Sequence, residues 1–273
     1  MTNQPDYASV NKTLWDAKTP WHVQSAFYDM AAFRAGKNTL NDIELALLGD
    51  VRGKSVLHLQ CHFGQDSLSL ARMGAKVTGV DLSETAIATA SQLAQELNLD
   101  ARFVCANVYD VPRVLNEQYD IVFSSYGTIV WLPDMDEWAR MITGALKPGG
   151  FFVFAETHPF VLMYDDNLEK VTYSYFNEGE ITETEQGTYA DRNAPLSLES
   201  RTWNHSLGEV LNALIKAGLT LTEFHEHDYC PYPCFGNITE TAPGRFQMTG
   251  NEGKVPLIYS LKALKPWVFQ GCV

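Results

Sequence analysis

Short apolar runs alternate with amphipathic stretches through the middle of this chain, and the alternation stops on either side of it. The runs at 55–59, 76–80, 101–105, 119–124 and 151–155 have the length and side chains of buried strands. Between the second and third, Ile87, Ala90, Ala94 and Leu97 fall on one helical face, with Ser83 placed as its N-cap. Asp134 caps another helix over 135–146, which Lys147-Pro148-Gly149-Gly150 ends. Strands separated by helices predict an α/β fold, a doubly wound, mostly parallel sheet with helices on both faces.

The flanks read differently. Residues 1–20 are polar and predicted irregular. Residues 21–50 carry Phe27, Met30 and Ala31, then Ile43, Leu47 and Leu48, with Gly36 and Asn38 between them. They predict two short helices. This organises the chain as an N-terminal helical cover over 1–50 and a core over 51–273. After Glu156 the rhythm breaks. Segments 171–176 and 181–188 read as two strands of a hairpin, a helix spans 206–217, and strands follow at 219–227 and 255–264. Two aromatic-rich insertions, 157–205 and 229–253, interrupt the core. Ordered insertions at the carboxyl ends of parallel strands commonly serve as lids.

Composition narrows the class. A chain of 273 residues with 45% hydrophobic content buries one large core, or one core and a lid. A net charge of −13 and the lack of any Lys/Arg cluster argue against nucleic acid as a partner. No apolar run approaches membrane-spanning length or follows a basic start, so neither a membrane span nor a signal peptide is expected. Five cysteines without a C-x-x-C pair suit a reduced, cytoplasmic setting.

The chemistry concentrates in residues 55–83. A strand leads into a loop with Gly64, a helix follows and stops at Gly74, and a second strand ends on Asp81. This is the layout of a mononucleotide site, in which loop backbone approaches the ligand and the acid takes the ribose hydroxyls. Gly64 and Asp81 stand 17 positions apart, near the ~20 of such sites. The plainer reading of a strand-end acid is a helix-capping residue.

Four segments then carry a family resemblance. Val56-Leu57-His58-Leu59-Gln60-Cys61-His62-Phe63-Gly64 is similar to V-L-D-L-G-C-G-x-G, and Val80-Asp81-Leu82-Ser83 to G-V-D-x-S. Segment 106–112 is similar to G-D-A-x-x-L-P. The fourth runs from Tyr119-Asp120-Ile121-Val122 to Leu146-Lys147-Pro148-Gly149-Gly150. In this order they resemble the class I S-adenosylmethionine-dependent methyltransferases, over roughly residues 55–156. The resemblance implies seven strands, the last antiparallel, and S-adenosyl-L-methionine as cofactor, with S-adenosyl-L-homocysteine as product. Three positions depart from the pattern: His58 replaces an acid, and Gln60 and His62 replace glycines. The loop reading L-H-L-Q-C-H-F-G-Q-D resembles a bacterial subgroup.

The same resemblance implies roles. Asp81 holds the ribose, Leu82 lies on the adenine, and Asn107 with Val108 meets the adenine edge. Gln60, Cys61 and Gly64 offer backbone to the methionyl part. Ser124, Ser125 and Tyr126 end the fourth strand above the sulfonium. Arg34, 24 positions before His58, would grip the cofactor carboxylate, and Tyr28 would close over it. Either may instead be an ordinary surface or packing residue.

His158 and Tyr126 are the candidate catalytic residues, His158 as base or else as a loop-shaping residue. Trp131, Tyr189 and Trp203 are pocket walls or plain core. His225-Glu226-His227 lacks a third ligand, so no metal is expected. The function implied is methylation of a small molecule at oxygen or nitrogen. A non-catalytic nucleoside-binding relative is an alternative that His58, Gln60 and His62 leave open. A nicotinamide-dependent oxidoreductase would need two more loop glycines.

Overall fold

The computed structural model describes residues 6–233 and 235–267. Three helices come first, α1 (Tyr7–Gln24), α2 (Met30–Arg34) and α3 (Asp42–Leu48). Strand and helix then alternate through β1 (Ser55–Leu59), α4 (Gln65–Arg72), β2 (Lys76–Asp81), α5 (Glu84–Leu97), β3 (Ala101–Cys105), the short α6 (Val111–Val114), β4 (Tyr119–Ser125), α7 (Met135–Ala145) and β5 (Leu146–Thr157). A hairpin of β6 (Ile181–Gln186) and β7 (Ser197–Thr202) follows. The chain continues through α8 (Leu207–Lys216), β8 (Thr220–His227), a second hairpin of β9 (Ile238–Ala242) and β10 (Arg245–Met248), and β11 (Ile258–Leu264).

The main sheet has seven strands in the order β3-β2-β1-β4-β5-β11-β8. Strand β1 is parallel to β2 and β4, and β11 is antiparallel to β5 and β8. The predicted seven-stranded, mostly parallel sheet with an antiparallel last strand is present. Its strands are apolar on both faces because helices cover both: Val56, Leu57, Leu59, Ile121, Val122, Phe123, Phe152 and Phe154 are all buried. The predicted caps are also formed. Ser83 accepts from the Ala86 N–H and Asp134 from Glu137; Ser206, at the start of α8, likewise accepts from Glu209 although it was not expected as a cap.

Two predicted elements differ. Residues 7–24 are a helix rather than irregular chain. The buried positions of α1 are Asn11, Leu14, Lys18, Thr19 and His22. A helix that turns a polar face inward shows no apolar period, and Pro20 inside it adds a second misleading signal. Residues 171–176 form no strand. Segment 181–186 pairs forward with β7, from Ile181 opposite Thr202 to Gln186 opposite Ser197. That choice of partner is tertiary: Asn11 of α1 donates to the Arg201 carbonyl at 2.8 Å and accepts from its N–H at 2.9 Å, holding β7 in place.

The chain forms two compact units. The first takes the chain to Leu40, Asp50–Phe123 and Glu180–Thr202; the second takes Asn41–Gly49, Ser124–Gly179 and the chain from Trp203 onward. In the first, Lys18 pairs with Glu185 of β6 at 2.5 Å, and Asp16 accepts from the Ser83 hydroxyl at 2.6 Å and the Thr85 N–H at 3.0 Å. Helix α1 is thereby tied to both the hairpin and the start of α5. In the second, Lys262 of β11 donates to the Leu47 carbonyl of α3 at 2.8 Å.

Candidate active site

The loop after β1 is built around Asp81. One oxygen of its carboxylate accepts the His62 N–H at 2.8 Å, and the other accepts the Ser83 N–H at 2.9 Å. Each oxygen keeps a further lone pair for a hydroxyl donor. Burial pushes the Asp81 carboxyl up to about 6, against the lowering effect of these two N–H groups.

Gln60 and His62 stand at positions where the pattern calls for glycine, and both adopt left-handed backbone, with φ of 51° and 50°. The turn keeps a glycine conformation on residues that carry side chains, at roughly 1–2 kcal/mol each. Gly64 has φ 83°, and a Cβ there would come within 2.8 Å of the Phe103 ring. It is therefore held both by backbone sign and by space.

Around this loop lies a group of rings within the first unit. His62 bonds to His22 of α1, Nε2 to Nδ1, at 2.8 Å. His22 stacks on Tyr28 with centroids 5.4 Å apart, and Trp15 meets both imidazoles edge-on. The hydroxyls of Tyr28 and Tyr189 bond to each other. Burial drives His22 down to about 3 and His62 well below its ordinary value, so the pair is neutral. His58 is buried against Phe123, bonds Ser67 Oγ at 2.7 Å and is likewise lowered to about 3 by burial. Cys61 is buried and its thiol is pushed well up by that burial, so it is inert as a nucleophile.

In the second unit, the loop after β4 wraps a buried carboxylate. Glu156, at the end of β5, accepts N–H groups from Gly127, from Thr128 at 2.7 Å, from Ile129 at 3.2 Å and from Thr157 at 2.6 Å. Burial raises its carboxyl and these donors hold it down. Tyr126 has φ 45°. Its N–H donates to the Ala155 carbonyl at 2.7 Å and its hydroxyl to Glu44 Oε2, also at 2.7 Å.

Several expected roles change. The Arg34 guanidinium, expected on a cofactor carboxylate, holds Glu96 of α5 at 2.7 Å on an exposed surface. His158 has no free lone pair for base catalysis. Its Nδ1 accepts the Phe160 N–H at 3.1 Å, which puts the ring proton on Nε2, facing Glu226 at 3.0 Å. Asn107 caps the turn that contains Val108, accepting from the Tyr109 N–H at 3.1 Å, while its amide donates to the Tyr7 hydroxyl.

Ser124 is fully buried against Thr128, and Ser125 ends β4 beside it. Leu82 lies in the turn between Asp81 and the Ser83 cap. Trp131 donates to the Gly127 carbonyl at 2.8 Å, and Trp203 is buried with its N–H on Val130. Both belong to the second unit, whereas Tyr189 joins Tyr28 in the first. His22, Glu44 and Glu156 were missed. Only Glu156, an acid directly after an apolar strand as Asp81 is, carried a visible signal.

This geometry has relatives. Residues 56–150 match the family described as methyltransferase domain. These residues are a class I S-adenosylmethionine-dependent methyltransferase domain. S-adenosylmethionine is the cofactor that goes with this domain. The chain is 28% identical over 154 residues to a ubiquinone biosynthesis O-methyltransferase of Bordetella avium, covering 55% of this chain and 61% of that protein. It therefore spans about three fifths of that relative's length.

Among solved structures, an S-adenosylmethionine-dependent methyltransferase of Mesorhizobium loti superposes with TM-score 0.53 at 21% identity, over 89% of this chain and 99% of that one. The 4+2 cyclase SpnF superposes with TM-score 0.57 at 15% identity, over 96% and 97%. These two likenesses establish the fold. No helix among the described residues is long and apolar enough to cross a membrane.

Proposed function

We propose that this chain transfers the methyl group of S-adenosylmethionine to the oxygen or nitrogen of a small molecule. The observation that carries the reading is the loop after β1: Gln60 and His62 keep the left-handed backbone of the glycines they replace, and Asp81 sits at its focus. The departures at these positions thus leave the turn geometry intact. Two carboxylate oxygens with open lone pairs suit vicinal ribose hydroxyls.

Asp81 would hold the ribose, the backbone of Gln60, Cys61 and Gly64 the methionyl part, and Leu82, Asn107 and Val108 the adenine. When bound, the cofactor supplies an activated methyl group. The protein's own work is to position the acceptor, exclude water and take up a proton where the acceptor carries one. Tyr126 is the proposed group for the last task. Its hydroxyl proton already lies on a hydrogen bond to Glu44, so a proton taken from the acceptor by the phenol oxygen is matched by one passed to that carboxylate.

The acceptor is proposed to be a small, uncharged or cationic metabolite rather than a nucleic acid. The charge of −13 supports this. The two insertions, 157–205 and 229–253, are proposed as its cover, with Trp131 and Trp203 as walls. The ubiquinone pathway name of the Bordetella relative makes phenolic acceptors a sensible first panel. Calorimetry with S-adenosylmethionine, S-adenosylhomocysteine and NAD, followed by turnover on a panel of phenols and amines, tests the reading. Binding of NAD without the other two would overturn it. Cofactor binding with no turnover on any acceptor would favour the non-catalytic relative.

A further inference from the structure

We infer that His22 is a positioning residue for the cofactor loop: through His62 it keeps the loop turned so that the ribose acid is correctly held. The inference rests on the methyltransferase reading above, since it concerns the same loop.

The links run atom by atom within one unit. Asp81 accepts the His62 N–H at 2.8 Å. That N–H points at Asp81 only while His62 stays left-handed, with φ 50°. A side-chain-bearing residue stays there only when its surroundings over-determine it. Here the surroundings are rings. His22 Nδ1 and His62 Nε2 share one hydrogen bond at 2.8 Å, and Trp15 and Tyr28 meet His62 edge-on at centroid distances of 5.3 and 5.7 Å. His22 is the member of that group that hydrogen-bonds the His62 ring, and it is fully buried.

Among the described residues, the outer nitrogens of the two imidazoles, His22 Nε2 and His62 Nδ1, make no hydrogen bond. The bond between the two rings is therefore the one polar tie each imidazole has. Helix α1 is itself anchored one to two turns before His22. Asp16 caps α5 through Ser83 and Thr85, and Lys18 pairs with Glu185. The position of His22 is thus set independently of the loop. Where relatives of the pattern use glycine to make the turn, this chain uses a histidine in the loop and a second histidine to hold it.

The test is S-adenosylhomocysteine binding by calorimetry, with thermal melting to confirm folding. His22→Leu fills the same space without the nitrogen and should weaken binding about tenfold or more. His22→Asn returns a polar atom near Nδ1 and should recover affinity to within about threefold of the parent. In a second pair, His62→Gly lets the loop make its turn unaided, so adding His22→Leu to it should change affinity by less than about twofold.

Equal affinity of His22→Leu and the parent, or full additivity of His22→Leu with His62→Gly, overturns the positioning role while leaving the methyltransferase reading in place. If His22→Leu does not fold, His22→Phe, which keeps the ring without its nitrogen, is compared with the parent in the presence and absence of His62→Gly and decides the same question. Failure of the parent protein itself to bind S-adenosylhomocysteine overturns the methyltransferase reading and this inference with it.

Discussion

The loop after β1 and the loop after β4 present the same mechanical problem and solve it from opposite sides. Each follows a parallel strand, and each contains non-glycine residues in the left-handed region: Gln60 and His62 in one, Tyr126 in the other. In the first, the backbone offers N–H groups outward to a carboxylate that also remains available to a ligand, and aromatic rings hold the turn from behind. In the second, the carboxylate is enclosed. Glu156 is 1% exposed and four backbone N–H groups converge on it. A partly buried acid at a strand tip suits binding, because the fold does not enclose it fully. An enclosed one suits scaffolding, because all of its capacity is spent on the fold.

Acid should separate the two regions most strongly. His22 and His58 are lowered to about 3 in the fold but titrate near 6.5 when unfolded. Their stabilising neutrality is complete above about pH 6.5 and is lost as pH falls toward 3, because the unfolded chain then binds protons that the native state does not. Asp81, raised to about 6, acts the other way and favours folding as pH drops from 6 toward 4. His62 is lowered in the same way as His22 and His58, and Glu156 is raised as Asp81 is; the lowered histidines outweigh the raised acids, so stability should fall by several kcal/mol across the window. Urea unfolding at a series of pH values measures this. A flat profile between pH 6.5 and 4 would break the picture of buried neutral imidazoles around the first loop.

Next in size is Glu156→Ala. It leaves the N–H groups of Gly127, Thr128, Ile129 and Thr157 without their acceptor and should cost about 3–5 kcal/mol of stability. A chemical denaturation midpoint that barely moves would show that the second loop does not depend on its carboxylate. Asp81→Ala, by contrast, should weaken S-adenosylhomocysteine binding by about 2–3 kcal/mol. Its effect on stability should be the smaller of the two substitutions. Reversal of that order, read from calorimetry and melting on both variants, would make Asp81 the scaffold and Glu156 the ligand site.

The smallest effects sharpen the strain argument. Gln60→Gly removes a left-handed side chain and should raise stability by up to about 1 kcal/mol, after the extra freedom of glycine in the unfolded chain is subtracted. His62→Gly relieves the same strain but also loses the His22 bond and the ring contacts, so it should lower stability by about 1 kcal/mol. Melting temperatures of the two variants moving in the same direction would show that side-chain contacts do not distinguish these positions.

What was legible in the sequence was everything that depends on periodicity or on a local turn. Alternating apolar runs placed the strands of the parallel core, since a strand buried on both faces must be apolar throughout. Ser83 and Asp134 announced helix starts because a cap is a bond between residues a few positions apart. Asp81 was visible because it stands at a strand tip. Helix α1 was not legible, because its buried face is polar: Asn11, Lys18 and His22 earn their burial only through partners on β6, β7 and the loop after β1.

The bonds that His158 makes to Glu226 and Arg34 makes to Glu96 were equally invisible. A side chain's chemistry depends on which of its atoms are already bonded, and Glu226 lies 68 positions from His158 and Glu96 lies 62 from Arg34. By itself, then, the sequence determined the sheet, its caps and the acid at the tip of β2, all of which follow from local geometry and burial. Only the tertiary structure decided which histidines, tyrosines and acids serve the site and which serve the fold. Hydrogen-bond capacity is finite, and distant partners had already used it.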